Sequence, residues 1–171
     1  MTAQGLMNPE RYASYFKFAV VRNPWERLLS EYRYIRNTPD HIRHFRVAPL
    51  SFEEFCVFQA RRKDAHQHLC VRDRHSDCGL DFIGRFETLI EDVNAVCNRL
   101  NIKVRALPHL NQSRADDYVD VYDDGLQRFV AEAWRRDIEM FGYRFENDGA
   151  NSDSALSTTF AARPCTIDGV R

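Results

Sequence analysis

The chain has 171 residues, of which 44% are hydrophobic and 29% are charged, and its formal net charge is -1. This length and composition predict one globular domain with a core of its own and argue against a second full domain. Because broad binding to nucleic acids or acidic membranes needs a clear basic excess, any site for an anion must be local.

Two further features of the composition bear on location. No apolar run approaches the roughly 20 residues that span a bilayer, and residues 1–17 lack the apolar core of a signal peptide. The five cysteines are an odd number without the spacing of a disulfide framework, which favours a reduced compartment. We therefore expect a soluble, cytoplasmic chain.

The first predicted unit is a strand followed by a helix. Residues 15–22 (YFKFAVVR) form a short apolar and aromatic run, typical of a parallel strand buried on both faces. Asn23 can cap the helix, Pro24 suits its first position, and Glu26 follows three residues after the cap. Ser30 falls on the polar side of this helix. The opposite, apolar stripe consists of Trp25, Leu28, Leu29, Tyr32 and Ile35.

A second strand-then-helix unit begins with the predicted strand Leu80 to Phe86. Two helices are opened by capping boxes, Ser51 with Glu54 and Thr88 with Glu91. The first runs from Phe52 to about Arg62. The second has a predicted buried stripe of Leu89, Ile90, Val93, Val96, Cys97 and Leu100.

The last predicted helix runs from Leu126 to Phe141, opened by Asp123 or Asp124 and stopped by Gly142. The alternation of strands and helices predicts the α/β class. Residues 147–171 lose periodicity and are rich in Ser, Thr, Ala, Asp and Asn, so we expect a disordered tail.

The end of the first strand suggests an anion site. In open α/β sheets, ligands bind beyond the carboxyl ends of the strands, and Arg22 is the last residue of its predicted strand. The arginine fork presents paired donors to a phosphate, and Ser30 can add a hydroxyl from the helix. Alternatively, Arg22 pairs with a carboxylate such as Glu26 and Ser30 faces water. The residue types alone leave both interpretations open.

Four stretches resemble one known family. RNPWERLLSEY from Arg22 is similar to the 3′-phosphate-binding motif of sulfotransferases. Three more resemble the carbohydrate-type (Golgi-type, family 2) sulfotransferases that use 3′-phosphoadenosine-5′-phosphosulfate (PAPS): DFIGRFETLIEDV from Asp81, LPHLNQS from Leu107 and AWRRDIEMFGYRF from Ala133. They occur in the family's order and span residues 2–145, and four ordered motifs are more specific than one.

The resemblance implies a P-loop-like sulfotransferase fold for residues 1–146, with a partial parallel sheet flanked by helices. It implies transfer of a sulfuryl group from PAPS to a hydroxyl, with a carbohydrate as the expected acceptor. Arg22 and Ser30 would hold the 3′-phosphate, and Asn111 and Ser113 would be further cofactor contacts. No nucleic-acid partner is expected. Family members are often membrane-associated.

One family feature has no counterpart in this sequence. Sulfotransferases normally begin with a strand and a loop such as Pro-Lys-x-Gly-x-Thr-Ser, which cradles the 5′-phosphosulfate. MTAQ at Met1 resembles the middle of the family's HLTAQ, whose histidine is a candidate base. We expect the loop and that histidine upstream, so that residues 1–146 form an N-terminally incomplete domain. The alternatives are a non-catalytic remnant that binds a nucleotide or a partner, and a P-loop kinase-type phosphotransferase.

The GRFE corner has two interpretations. Gly84 could permit the close approach of a cofactor, whereas Arg85 and Glu87 could form a purely structural ion pair. We favour the structural interpretation.

A group of soft ligands raises the question of zinc. Five potential ligands lie within 13 residues: His66, His68, Cys70, His75 and Cys78. Their spacing fits no standard zinc finger, and no repeated Cys-x-x-Cys pair is present. We therefore expect no metal.

Overall fold

The computed structural model describes residues 8–71, 79–103 and 118–145. Its two strands are β1 (Phe18–Val21) and β2 (Phe82–Arg85). The helices of the described part are α1 (Pro9–Ser14), α2 (Pro24–Asn37), α3 (His44–Val47), α4 (Phe52–Ala60), α5 (His68–Val71), α6 (Leu89–Arg99), α7 (Asp124–Ala133) and α8 (Arg135–Phe141). Short 3₁₀ turns lie at Lys63–Ala65 and Val119–Val121. Asn111, Ser113 and the predicted tail 147–171 lie outside the described residues.

The two strands pair in parallel, with Phe18 opposite Phe82 and Val21 opposite Arg85. Each strand leads directly into a helix, α2 after β1 and α6 after β2. Parallel neighbours put the carboxyl ends of both strands at one edge, so the corners after Val21 and Arg85 lie side by side. The prediction of a mixed α/β chain with a small parallel sheet is confirmed.

The predicted burial of the first strand on both faces is wrong. Phe18 and Val20 are 48% and 39% exposed, whereas Val21 is buried. Successive side chains of a strand point to opposite faces. The covered face contributes to a small apolar cluster. Its buried members are Val21, Val71, Phe141 and Tyr143, and the partly buried Ala19, Leu80 and Ile83 pack against them. Within the described part, elements from late in the chain thus cover one face of the sheet.

The first long helix forms as the sequence predicts. The Asn23 side chain accepts the N–H of Trp25 at 3.1 Å and caps α2. The five stripe residues Trp25, Leu28, Leu29, Tyr32 and Ile35 are all buried. They lie in the main core with residues of α4 and α7, including Phe55, Cys56 and Val130. The Ser51–Glu54 capping box of α4 is also present.

The second strand-then-helix unit departs from its prediction in two ways. Thr88 makes no capping hydrogen bond, because its hydroxyl donates to the Asp92 carboxylate at 2.9 Å. The prediction of a Thr88–Glu91 capping box is therefore wrong. In the predicted buried stripe only Val96 is buried, whereas Ile90 and Leu100 are 48% and 40% exposed. Leu89, Val93 and Cys97 are partly buried, and among the described elements the main partner of α6 is β2.

The single helix predicted over residues 126–141 is two helices, α7 and α8, that meet at Trp134. Asp123 caps α7 by accepting the N–H of Leu126 at 2.7 Å. Trp134 has φ -106° and ψ 22°, outside the helical region, while its buried indole donates to the carbonyl of Ala65 at 3.0 Å. This tertiary contact of the indole thus overrides the helical conformation that the sequence pattern predicts at residue 134. No helix in the described part is long and apolar enough to cross a membrane.

We expect Gly142→Ala to lower the free energy of unfolding by about 1 kcal/mol, because Gly142 ends α8 with φ 67°, a left-handed conformation that disfavours a Cβ. Urea unfolding measures the change. The control is Gly125→Ala in the first turn of α7, where φ is not left-handed and the new Cβ would meet only the Asp123 carboxylate, at 3.2 Å. An equal or larger loss in the control would contradict the explanation.

Candidate functional site

Arg22 follows β1 directly and is the centre of a polar cluster at the carboxyl edge of the sheet. Its Nη1 donates to the Ser30 hydroxyl at 3.0 Å, and its Nη2 donates to the Glu26 carboxylate at 2.5 Å. The guanidinium carbon lies 4.2 Å from the centre of the Phe86 ring. The side chains of Arg22 and Glu26 are each only 13% exposed.

The structure contains the contacts of both interpretations of this motif. The arginine and the serine eight residues later meet, as the phosphate clamp requires, because two turns of α2 bring Glu26 and Ser30 to the same side as the strand end. The pairing of Arg22 with Glu26 is present as well. Ser30 does not simply face water. Arg22 can therefore bind an anion only by sharing or exchanging its carboxylate partner.

The main chain of Arg22 is fixed by the side chain of Gln67. The Arg22 N–H donates to Gln67 Oε1 at 2.9 Å, and Gln67 Nε2 donates to the Arg22 carbonyl at 2.7 Å. One amide thus supplies both the acceptor and the donor that a neighbouring strand would supply. Sequence reasoning missed Gln67, because an isolated glutamine in a loop gives no periodic signal.

Three of the sequence motifs meet at the next residue. The N–H of Asn23 donates to the Glu87 carboxylate at 2.8 Å, and the Asn23 side chain donates to the carbonyl of Arg144 at 2.9 Å. Tyr143 also donates its hydroxyl to Glu87, at 3.2 Å. The RNP corner, the GRFE corner and the GYRF segment therefore form one hydrogen-bonded unit beside Arg22.

The prediction of an Arg85–Glu87 ion pair is wrong, because these two side chains form no ion pair with each other in the described part of the chain. Arg85 instead donates to the carbonyl of Phe141 at 2.5 Å and lies over the Tyr143 ring at 4.7 Å. A Cβ added at Gly84 would approach the Cβ of Asp92 to 3.1 Å. The small residue therefore makes room for α6, which agrees with a structural role for this corner.

A buried carboxylate that the sequence analysis did not single out supports the Gln67 segment. Asp137 is 0% exposed and accepts three hydrogen bonds. They come from the N–H of Gln67 at 2.8 Å, the N–H of His68 at 2.9 Å and the Nδ1 of His68 at 2.5 Å. The ring of His66 stacks on Trp134 at 5.3 Å. A carboxylate buried in α8 thus holds the start of α5 in place.

His66, His68 and Asp137 offer ligand atoms that all lie within 4.8 Å of one another, which could accommodate a metal ion. Both carboxylate oxygens of Asp137, however, already accept hydrogen bonds from the protein. These bonds satisfy the buried charge without a metal. His75 and Cys78 lie outside the described residues.

Among the cysteines of the described segments, Cys56 is the buried one, and its thiol is not suited to act as a nucleophile. Burial raises the pKa of Cys56 to about 12, so that at neutral pH this side chain is a protonated core residue. Burial also raises the pKa of Tyr122, whose hydroxyl donates to the carbonyl of Trp25 at 2.9 Å. Neither group is suited to proton transfer near pH 7.

A model of the sulfotransferase family matches residues 1–144. Among curated proteins and solved structures, none matches the chain significantly.

Protein purified without chelator is expected to carry no stoichiometric zinc on the segment from His66 to Cys78. The spacing fits no closed zinc site, and the oxygens of Asp137 are occupied by hydrogen bonds. Elemental analysis of the purified chain checks this. One zinc per chain that disappears in Cys70→Ser, but stays in the control Cys97→Ser on α6, would show the prediction to be wrong.

Proposed function

Since this chain belongs to the sulfotransferase family, we propose that it uses PAPS to transfer a sulfuryl group to a hydroxyl of a carbohydrate. The proposal includes a P-loop-like arrangement of the sheet, of which β1 and β2 are the described part. It does not include a metal or a nucleic-acid partner. Family membership favours sulfuryl transfer over the alternative of a kinase-type phosphotransferase.

The observation that carries the proposal is the contact between Arg22 Nη1 and Ser30 Oγ at 3.0 Å. It joins a guanidinium at the carboxyl end of a parallel strand to a hydroxyl two turns into the next helix. This edge of an α/β sheet is where ligands bind. A guanidinium and a hydroxyl are matched to phosphate oxygens, with the arginine supplying charge and paired donors. We assign Arg22 and Ser30 to the 3′-phosphate of PAPS, and propose Asn111 and Ser113 as further contacts.

The local supports make this pair suitable for binding. Gln67 fixes the main chain of Arg22, and Glu26 and Phe86 restrict its guanidinium. A site that is already ordered loses less conformational entropy when a ligand binds. The Glu26 carboxylate has an opposing effect, because it repels a phosphate that approaches the same guanidinium.

In the proposed reaction the acceptor oxygen forms a bond to sulfur, and the bond between sulfur and the bridging phosphate oxygen breaks. The hydroxyl proton passes to a base, and adenosine 3′,5′-bisphosphate (PAP) leaves with the bridging electrons. Catalysis of such transfers depends mainly on position and on charge stabilisation. Arg22 and Ser30 contribute by holding the end of the donor that does not react, so their role is binding.

Arg22→Ala is expected to weaken PAP binding by about 10- to 100-fold, the loss expected for one charge-assisted contact. Titration calorimetry with PAP measures the effect. Adenosine 5′-phosphate should bind the variant and the wild type equally, because it lacks the 3′-phosphate that Arg22 is proposed to bind.

The matched control is Arg36→Ala at the far end of α2. Arg36 also lies over an aromatic ring, that of Tyr32, at 5.1 Å, but it is in the last turn of α2, six residues beyond Ser30. Its loss should leave PAP binding unchanged. Equal PAP affinity of the wild type and Arg22→Ala would refute the assignment. Transfer of label from PAPS to a panel of carbohydrates tests the reaction itself, and a preference for ATP over PAP would favour a kinase.

A further inference from the structure

Two apolar side chains project from the protein surface on the turn that includes α3. Ile42 is 93% exposed and Phe45 is 88% exposed, the highest values for large apolar side chains in the described part of the chain. The next value in that part is 55%, at Ile102. A single exposed apolar residue is ordinary on a protein surface, whereas a pair exposed to this degree suggests an interaction site.

The two side chains are neighbours in space. Main-chain hydrogen bonds from each N–H to the carbonyl three or four residues earlier link residues 41–47 into successive helical turns. Residues three positions apart in a helical turn lie side by side on its surface. Ile42 and Phe45 therefore form one apolar patch.

The turn that carries this patch is firmly attached to the rest of the molecule. Val47 is fully buried in the main core, and Arg43 forms an ion pair with Glu31 of α2 at 2.7 Å. The ring of His44 donates from Nδ1 to the carbonyl of Ile35 at 2.9 Å. The apolar patch is thus presented in a fixed position, which reduces the entropy lost when a partner binds.

Arginines surround the apolar patch. Residues 33–46 contain one acidic residue, Asp40, and four arginines, namely Arg33, Arg36, Arg43 and Arg46. The side chain of Arg46 is exposed on α3, and that of Arg36 is exposed at the end of α2. Even when Glu31, the partner of Arg43, is included, positive charges outnumber negative ones here. A chain with a formal net charge of -1 therefore has a local basic excess beside its most exposed described apolar side chains.

We propose that the turn at residues 41–47 docks the protein on a membrane surface that contains acidic lipids. Ile42 and Phe45 enter the boundary between the head groups and the acyl chains, and Arg36 and Arg46 contact the lipid phosphates. Apolar side chains on one side of a helical turn, with arginines beside them, are the combination that binds such a boundary.

The size of the patch favours a lipid surface over a protein partner. A stable protein interface buries roughly 800 Å² on each partner, far more than two side chains expose. A membrane has no such minimum, because each inserted side chain and each nearby arginine adds to binding and no shape-matched pocket is needed. The attachment is peripheral and reversible, and it differs from an anchor that spans the bilayer.

Vesicle sedimentation of the 171-residue chain tests the proposal. The wild type should bind phosphatidylcholine vesicles that contain phosphatidylserine far better than phosphatidylcholine alone, and salt should weaken the binding. The double variant Ile42→Ala/Phe45→Ala should bind the acidic vesicles at least about 10-fold more weakly. The matched control is Ile102→Ala/Phe129→Ala, which removes another exposed isoleucine and phenylalanine and should bind as the wild type does.

Two single variants separate charge from insertion. Arg46→Gln should weaken binding to the acidic vesicles by about 5-fold, whereas Arg99→Gln, in the last turn of α6, should leave it unchanged. Phe45→Trp should retain binding, and its emission should shift to shorter wavelength on addition of acidic vesicles because the indole leaves water. The native Trp25 and Trp134 are buried, so they contribute little to this shift.

Three results would overturn the inference. A wild type that does not bind the acidic vesicles would rule out the membrane partner. Vesicle binding that Ile42→Ala/Phe45→Ala does not weaken would show that charge alone attracts the protein. Light scattering that shows self-association through the patch in place of vesicle binding would assign it to a second copy of the chain. None of these measurements uses PAP, so each outcome is independent of the proposed function.

Discussion

The buried carboxylate of Asp137 is the constraint on which the cluster at the sheet edge depends. A wholly buried charge is costly unless hydrogen bonds satisfy it, and here three donors from Gln67 and His68 do so. The same bonds fix the main chain of Gln67, whose side-chain amide then holds both main-chain groups of Arg22. A residue near the end of the described chain thereby determines where an arginine near its beginning is placed.

The Arg22 side chain is restrained on several sides by groups of different chemistry. Ser30 and Glu26 bind its terminal nitrogens, and Phe86 packs against the plane of the guanidinium. All three come from segments that follow a strand of the same parallel pair, the first two on α2 and the third after β2. Parallel pairing is therefore what assembles the cluster, since it brings two corners far apart in sequence to one edge.

The sequence predicted those features that depend on local chemistry. Asn23 and Ser51 cap the helices they were expected to cap, and the apolar stripe of α2 is buried as its spacing requires. The meeting of Arg22 with Ser30 also follows from helical spacing. Long-range contacts were beyond such reasoning: the indole of Trp134, which interrupts a helix, bonds to Ala65, 69 residues away. The Thr88 hydroxyl binds the nearby Asp92 carboxylate instead of capping α6, a choice between two local partners that the capping pattern alone does not decide. Gln67 and Asp137 act through partners 45 and 70 residues away, which no local pattern reveals.

The ion pair between Arg22 and Glu26 has a consequence for ligand exchange. A cation that is only 13% exposed is poorly solvated, and a departing dianion would leave it without compensation. The carboxylate one helical turn away supplies that compensation from within the protein. Release of an anion bound at Arg22 would then be an exchange of one counterion for another, which would lower the electrostatic barrier to release. Under the proposed assignment of Arg22 to a phosphate, the resident carboxylate would favour release of the product at the expense of tight retention.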